Sequence, residues 1–233
     1  LSLVLVFFGL WLRRGVGETP VFLKQEKNIK NSHTPLKEVL LHHPRALLIA
    51  GGSRIGSDVL YALVVVFTLT YVTTVLHLPR PVALMATMLG AVGNALTVPM
   101  FGALSDRIGR RPVYMIGAAL AMSWAFVFFV LLDSSQPWLI CLAVIGGLII
   151  HAMMYGPQAA FVTEQFPTHV RYAGSSLAYT LAGILGGGFA PLIITSLYSK
   201  MGSTLWVSLY VILALSITFF ALWKAKETAH KPL

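Results

Sequence analysis

Six long stretches of this 233-residue chain contain no Asp, Glu, Lys or Arg. They are 59–79, 81–105, 112–132, 134–163, 172–199 and 201–223. Each reaches or exceeds the roughly 20 helical residues that cross about 30 Å of hydrocarbon. A lone strand in a bilayer would leave its backbone polar groups without partners, so each stretch is predicted to be a helix. We therefore predict an all-α membrane protein with six complete spans.

The composition excludes a water-soluble globular domain. Hydrophobic residues make up 57% of the chain and charged residues 11%, whereas roughly a quarter of an ordinary soluble domain is charged. The single cysteine, Cys141, lies in an apolar stretch and is predicted to be a packing residue. We expect no metal and no cofactor.

The domain boundaries follow from the same pattern. The apolar segment 1–12 has no initiator Met and no basic region before it, so it is not a signal peptide. It is also too short to cross a lipid bilayer as a helix. We predict that it is the end of a preceding span and that the sequence is a fragment. A cytoplasmic central loop, the six-helix domain and a cytoplasmic tail follow at 13–45, 46–223 and 224–233, with spans at about 46–76, 82–105, 112–132, 137–157, 175–198 and 204–223.

The end of the central loop has a helix signal of its own. Thr34 is a candidate cap with Pro35 at the first helical position, and Leu36, Val39 and Leu40 favour a helix lying at the membrane interface. A plain solvated linker is the alternative.

The charge of +9 suits a nucleic-acid binder on composition alone, but its distribution excludes that interpretation. Of the 17 basic residues, 14 lie in alternate connections: the loop 13–45, the turn 107–111, the turn 158–176 and the tail. Only Arg80 and Lys200 lie in the other connections, and Arg54 lies within a span. The positive-inside rule then places the loop 13–45 and the C-terminus in the cytoplasm.

An ordered motif occupies the turn between the second and third complete spans. Glycine allows close helix approach or a tight turn, aspartate near a helix end accepts bonds from basic groups, and arginines face the anionic leaflet. Its fixed positions are Gly102, Asp106, Arg107, Gly109, Arg110 and Arg111.

This motif resembles the cytoplasmic signature of the major facilitator superfamily. The block 164–176 and the glycine-rich run 183–191 are similar to the metabolite:proton symporter branch, as is Glu18-Thr19-Pro20. The resemblance covers essentially the whole chain, from the end of span six to span twelve. His169 departs from it, because relatives often have Arg there.

The resemblance implies a twelve-helix transporter in which two six-helix halves rock about a central site. This chain is then the C-terminal half, its partner is a missing N-terminal half, and its spans form two three-helix units. Asp106, Arg107 and Arg110 become gate residues, with Glu164 and Arg171 as partners at the same face. A pairing of Arg110 with Glu164 is one specific hypothesis.

Candidate substrate-binding residues are the charged and polar side chains within the predicted spans, since such side chains are unfavourable in the hydrocarbon core of a bilayer. Arg54 and Asp58 are four residues apart on one helix face, and Tyr61 continues the stripe. Arg54 is predicted to hold an anionic substrate group and Asp58 to exchange a proton. The alternatives are a structural Arg54–Asp58 ion pair or an Arg54 side chain that snorkels to the interface.

A second polar stripe lies in the fourth complete span at His151, Tyr155 and Gln158. The histidine is a candidate for proton coupling, and Asn94 and Tyr179 are candidates for cavity hydrogen bonds. For each of these residues, simple helix joining is the alternative.

The resemblance, together with these polar stripes, thus implies a secondary active transporter that carries a small organic metabolite, a carboxylate or a zwitterion, across the plasma (cell inner) membrane. Proton symport with alternating access is the predicted mechanism. The alternatives are a uniporter or a drug- or sugar-type facilitator and, remotely, a membrane-embedded enzyme using His151 and Asp58. Because no metal-ligand or nucleophile motif such as H-E-x-x-H occurs, we predict that the protein is not an enzyme.

Overall fold

The computed structural model describes residues 6–9, 11, 35–227 and 229. The chain divides into two units, Leu1–Pro35 and Leu36–Leu233. The described residues of the first unit are helical. The limits of the predicted segment 1–12, the cap Thr34 and the Glu18-Thr19-Pro20 element lie outside the described residues.

The described part of the chain contains helices and turns and no strand. After the helical residues 6–9 and 11 come a short helix and then six helices long and apolar enough to cross a membrane. They are α1 Pro35–His42, α2 Pro44–Val75, α3 Arg80–Ile108, α4 Arg110–Asp133, α5 Pro137–Glu164, α6 Arg171–Met201 and α7 Thr204–Lys224. The predicted fold class, an all-α membrane protein with six spans, is confirmed.

Local sequence signals set the helix limits. Prolines stand in the first turns of α2, α3 and α5, where their missing N–H costs no hydrogen bond. Gly109 ends α3 at a φ of +112°, and Gly202 ends α6 at a φ of +63°, both left-handed conformations that favour glycine. The Ser203 side chain accepts a hydrogen bond from the Leu205 N–H and caps α7.

The turns lie at two ends of the bundle. We call the end with Gly109, the turn 165–170 and the residues after α7 the motif face, and the other end the opposite face. The turn 165–170 is shorter than the predicted turn 158–176, because α5 continues to Glu164 and α6 already begins at Arg171. The apolar residues 159–162 extend α5 past Pro157. The predicted membrane limits of the spans stay predictions.

Two helices contain π-helical segments. In α2 they are Ala62–Phe67 and Tyr71–Val75, and in α6 the segment is Gly183–Gly188. A π-helical turn shifts the side chains that follow it around the helix axis, and such turns are frequent at functional sites.

The six long helices form two groups of three that are not consecutive in sequence. One group is α3, α4 and α5, and the other is α2, α6 and α7, while α2–α5 and α4–α7 contacts join the groups. Small residues allow the closest approaches: a Cβ at Gly156 would lie 2.8 Å from the Gly102 backbone nitrogen of α3.

A buried hydroxyl joins α2 to α7. The Thr218 hydroxyl accepts a hydrogen bond from the Gly56 N–H at 2.8 Å and donates one to the Gly52 carbonyl at 2.8 Å. Gly52 and Gly56 are four residues apart, the spacing at which a carbonyl and an amide pair in an α-helix. The hydroxyl therefore bridges two backbone groups of α2 in the turn that carries Arg54.

Two of the six long helices, α3 and α6, are less covered than the other four. Within an apolar 18-residue segment of each helix, 17% of α3 and 28% of α6 is buried, whereas 61% of α2 is buried. A stripe of large apolar side chains on α3 is exposed: Met85, Met88, Val92, Leu96 and Met100.

Candidate substrate and proton pathway

An ion pair lies within the membrane-length helix α2. Arg54 Nε lies 2.9 Å from Asp58 Oδ2, and the two side chains are 20% and 12% exposed. One helical turn separates the residues, so the predicted stripe brings them into direct contact. The geometry is that of the predicted structural pair, and its position also fits the predicted site.

Arg54 also contacts α6. Its guanidinium carbon lies 4.2 Å from the centre of the Tyr179 ring, and Nη1 lies 3.4 Å from the Tyr179 carbonyl oxygen. This stacked position favours an arginine over a lysine. Among the residues that the structure describes, Nη2 has no hydrogen-bond partner.

A cleft of about 270 Å³ opens beside the pair. Its walls come from α2 and α6: Arg54, Asp58, Tyr61, Ala62, Val66, Gly183, Gly187 and Pro191. The π-helical segments of both helices therefore line it. A carboxylate of a small solute entering here would meet the free edge of the guanidinium.

The glycine-rich segment of α6 shapes this cleft, a role that the sequence analysis did not assign. A Cβ at Gly186 would lie 2.8 Å from the Ile55 carbonyl oxygen and 2.9 Å from Asp58 Cβ. The absent side chain lets α6 approach the turn that holds the ion pair. The available signal was the unbroken run Gly186-Gly187-Gly188 inside an apolar stretch.

His151 lies in a second polar group, between α3, α5 and α2. Its Nδ1 lies 3.2 Å from Asn94 Nδ2, and its ring centre lies 5.3 Å from those of both Tyr61 and Tyr155. Asn94 also donates to the Leu148 carbonyl at 2.7 Å. Asn94 thus joins two helices, as the alternative interpretation held, and it also orients the histidine.

Gln158 is buried and contacts Tyr114, which the sequence analysis did not single out. The Tyr114 hydroxyl lies 3.0 Å from Gln158 Oε1 and 2.7 Å from the Ser53 carbonyl oxygen. The Gln158 amide nitrogen is close to Tyr179 but has no well-aligned hydrogen bond within the described residues. Tyr114 gave no sequence signal, because it is an ordinary tyrosine near a helix start whose partners lie more than 40 residues away.

The eight candidate residues therefore lie in one region. Tyr61 joins the two groups, because it lines the cleft and contacts His151. The region holds an anion-binding group, a carboxylate, a histidine and five phenols or amides, a set able to bind a small polar solute and to move a proton. Their participation in transport stays a prediction.

Comparison with known proteins identifies the family of this arrangement. The model of the Major Facilitator Superfamily matches residues 1–191 and, in an overlapping second match, 55–232. The chain belongs to the major facilitator superfamily. The predicted resemblance, to a metabolite transporter of this superfamily, is confirmed.

Curated relatives of this major facilitator chain are transport proteins. It is 35% identical to "Inner membrane metabolite transport protein YhjE" of Escherichia coli (strain K12) over 100% of this chain and 54% of the relative. It is 34% identical to the "Shikimate transporter" of the same strain over 84% of this chain and 45% of that protein. It is 26% identical to the "Proline/betaine transporter" of Salmonella typhimurium over 100% of this chain and 48% of that protein. The chain thus spans about half the length of the curated relatives it matches, and no solved structure matches it.

The superfamily motif forms a charged network at the motif face. Arg110 stands between two carboxylates, with Nη1 3.0 Å from Asp106 Oδ1 and Nε 2.9 Å from Glu164 Oε2. The structure therefore brings together the pair Arg110 and Glu164. Arg171 Nε donates to the Phe166 carbonyl across the turn, and Arg107 is exposed without a hydrogen bond or ion pair among the described residues.

The tail of this major facilitator chain completes the motif. Both oxygens of the Glu227 carboxylate accept backbone hydrogen bonds, one from Arg110 N–H at 3.2 Å and one from Arg111 N–H at 3.0 Å. In return, Arg111 Nη2 donates to the Trp223 carbonyl in the last turn of α7. The sequence analysis missed Glu227, although a lone acid between Lys226 and Thr228 in a basic tail was a visible signal.

Proposed function

We propose that this chain is part of a secondary active transporter that carries a small organic metabolite, a carboxylate or a zwitterion, together with a proton. The observation that carries the proposal is the Arg54–Asp58 pair inside a membrane-length helix beside an open cleft. Ionisable groups within spans are costly and usually face a pathway or one another. Here the two groups contact each other and line the cleft, which supports the proposal.

The geometry supports a partner exchange as the coupling step. A substrate carboxylate that enters the cleft forms charge-assisted hydrogen bonds with the Arg54 guanidinium, which then turns away from Asp58. Once the Arg54 guanidinium has turned away, the Asp58 carboxylate binds a proton. When the substrate leaves on the other side, the pair forms again and the proton is released, so anion and proton cross together.

The relatives support the chemical class of the substrate. The names of two relatives give shikimate, which has a carboxylate, and proline and betaine, which are zwitterions with one. A single guanidinium that holds one carboxylate fits both classes. The names describe transporters, which agrees with the prediction that the protein is not an enzyme.

We also propose an orientation and a partner. The positive-inside rule places the motif face in the cytoplasm, and the inner membrane named for one relative supports the cell inner membrane. A second six-helix unit is the proposed partner, because the chain spans about half the length of its relatives. Rocking of two such units gives alternating access.

Uptake assays test the function. The chain is reconstituted in lipid vesicles with the proposed second unit, and uptake of labelled shikimate, proline and glycine betaine is measured with and without an inward proton gradient. We expect the gradient to drive uptake of at least one probe. Arg54→Ala and Asp58→Asn should each lower it by about tenfold or more, since a hydrogen bond to a charged group is worth about 1.5–3 kcal/mol. Arg80→Ala, an exposed arginine at the start of α3, is the matched control and should leave uptake unchanged.

A facilitator is the second candidate, favoured by the closed ion pair, which also suits a purely structural contact between residues of α2. Uptake that is equal with and without the gradient would contradict symport and support the facilitator. Gradient-driven uptake that survives Asp58→Asn would contradict the partner exchange.

A further inference from the structure

Three potential metal ligands meet at the motif face, away from the cleft. Glu38 lies in α1, His43 lies between α1 and α2, and His169 lies in the turn between α5 and α6. None belongs to the Arg110 network or to the proposed pathway. Glu38 and His43 are half-buried, and His169 is exposed.

The side chains already point at one another. His169 Nε2 lies 2.9 Å from Glu38 Oε1. The ring centres of His43 and His169 are 6.3 Å apart, and the angle between the two ring planes is 67°. One ligand atom from each residue lies within 4.8 Å of the other two. Around a tetrahedral ion with bonds of about 2.1 Å such atoms stand about 3.4 Å apart, so a shift of the ligand atoms by about 1 to 2 Å closes the site, and the His169 side chain is exposed and able to rotate.

The backbone holds the central ligand firmly. His43 has non-helical torsions, a φ of −127° and a ψ of 37°, yet its N–H donates to the Val39 carbonyl and its carbonyl accepts from the Leu47 N–H. It is therefore fixed by both helices. It also lines a cavity of about 510 Å³ with His42, Arg45 and Glu164, which provides an open entry path for an ion.

We propose that Glu38, His43 and His169 bind one divalent transition-metal ion of the zinc class. Two imidazoles and a carboxylate are a zinc-binding set that leaves a fourth position open, whereas Mg²⁺ and Ca²⁺ prefer oxygen ligands. The bound ion joins the segment before α2 to the α5–α6 turn. It therefore restrains movement between these two parts of the motif face.

Metal titration tests the site. The chain is purified in detergent without a polyhistidine tag, treated with a chelator and titrated with Co²⁺, whose visible absorption reports tetrahedral binding, and then with Zn²⁺ by calorimetry. We expect one ion per chain. His43→Ala and His169→Ala should each weaken binding by more than about 100-fold, because even the outer partners of metal ligands are worth about 10- to 100-fold. Glu38→Gln should weaken it as well.

His77→Ala is the matched control, because His77 is an exposed histidine between α2 and α3, outside the three-residue group and the cavity. It should bind the metal as the unchanged chain does. The proposal is overturned if the chain shows no saturable binding, if His43→Ala/His169→Ala binds equally well, or if His77→Ala loses binding to the same degree. In the first case Glu38 and His169 form an ordinary hydrogen-bonded pair.

Hydrogen exchange on the unchanged chain gives a readout that needs no variant. Zn²⁺ should slow amide exchange in residues 36–43 and in the turn 165–170, and Mg²⁺ should not. Equal exchange with and without Zn²⁺ overturns the proposed link. Both tests measure metal alone, so either can fail while the proposed transport function stands.

Discussion

Thr218 is a single residue on which the position of Arg54 depends. Its hydroxyl is buried and satisfies one amide and one carbonyl of α2, on either side of Arg54. Neither group has water available in a membrane domain, so loss of the hydroxyl leaves both without this partner. The residue therefore links the packing of α7 to the site on α2.

Thr218→Val should destabilise the chain by about 1–3 kcal/mol, because it keeps the side-chain volume and removes a buried hydroxyl that makes two hydrogen bonds. Thr218→Ser should retain most of the stability. Thermal unfolding in detergent measures both. Thr195→Val, which removes an exposed hydroxyl bonded within its own helix, is the control and should have a far smaller effect.

Single residues also show how far the sequence could predict the site. Arg54 with Asp58 followed from a spacing of four, since helix geometry alone places such residues together. Tyr114, Glu227 and Thr218 could not be found in this way, because their partners lie 40 to more than 150 residues away and only the folded bundle brings them close. The residue types of Tyr114 and Thr218 are unremarkable where they occur, whereas Glu227 stands out only as a lone acid in a basic tail.

At the scale of elements, the least regular helices surround the cleft. The π-helical segments Ala62–Phe67 of α2 and Gly183–Gly188 of α6 both line it, and Gly186 allows the close approach between the two helices. The apolar stretches predicted the positions of the helices. A span that is apolar on all sides has no hydrophobic periodicity, however, so its sequence does not distinguish an α-helix from a π-helix. The change from α- to π-helix therefore had no sequence signal other than the glycine run.

Gly186→Ala should destabilise the chain, because the added methyl would lie 2.8 Å from a backbone oxygen that cannot move without moving α2. Overpacking of this kind costs about 1–3 kcal/mol. Gly187→Ala is the matched control, since nothing lies within 4 Å of its added methyl. The unfolding temperature in detergent compares the two variants, and equal unfolding temperatures would show that the helices can separate at no cost.

For the whole molecule, the distribution of the turns over two ends of the bundle predicts an orientation in the membrane. The sequence predicted the alternation of basic and non-basic turns, and the structure places the motif, the turn 165–170 and Glu227 at one end of the bundle. It also shows that α2 groups with α6 and α7, which no local pattern could reveal, because that grouping depends on contacts between distant segments.

Cysteine labelling measures the orientation. The chain has one cysteine, Cys141, and it is buried, so an added thiol at an exposed position should be the reactive one. In intact cells a membrane-impermeant maleimide should label Lys200→Cys, and it should label Arg107→Cys only after permeabilisation. The unchanged chain is the control for background labelling, and the reverse order would place the motif face outside the cell.

The exchange of contacts between Glu227 and Arg111 has a further consequence for how the bundle moves. The start of α4 carries partial positive charge and the end of α7 partial negative charge, and each is neutralised by a side chain attached to the other helix. Separating the two ends would expose two opposite helix dipoles at once. The two helices are therefore expected to turn as one rigid body, with bending confined to the glycine-lined side of the domain.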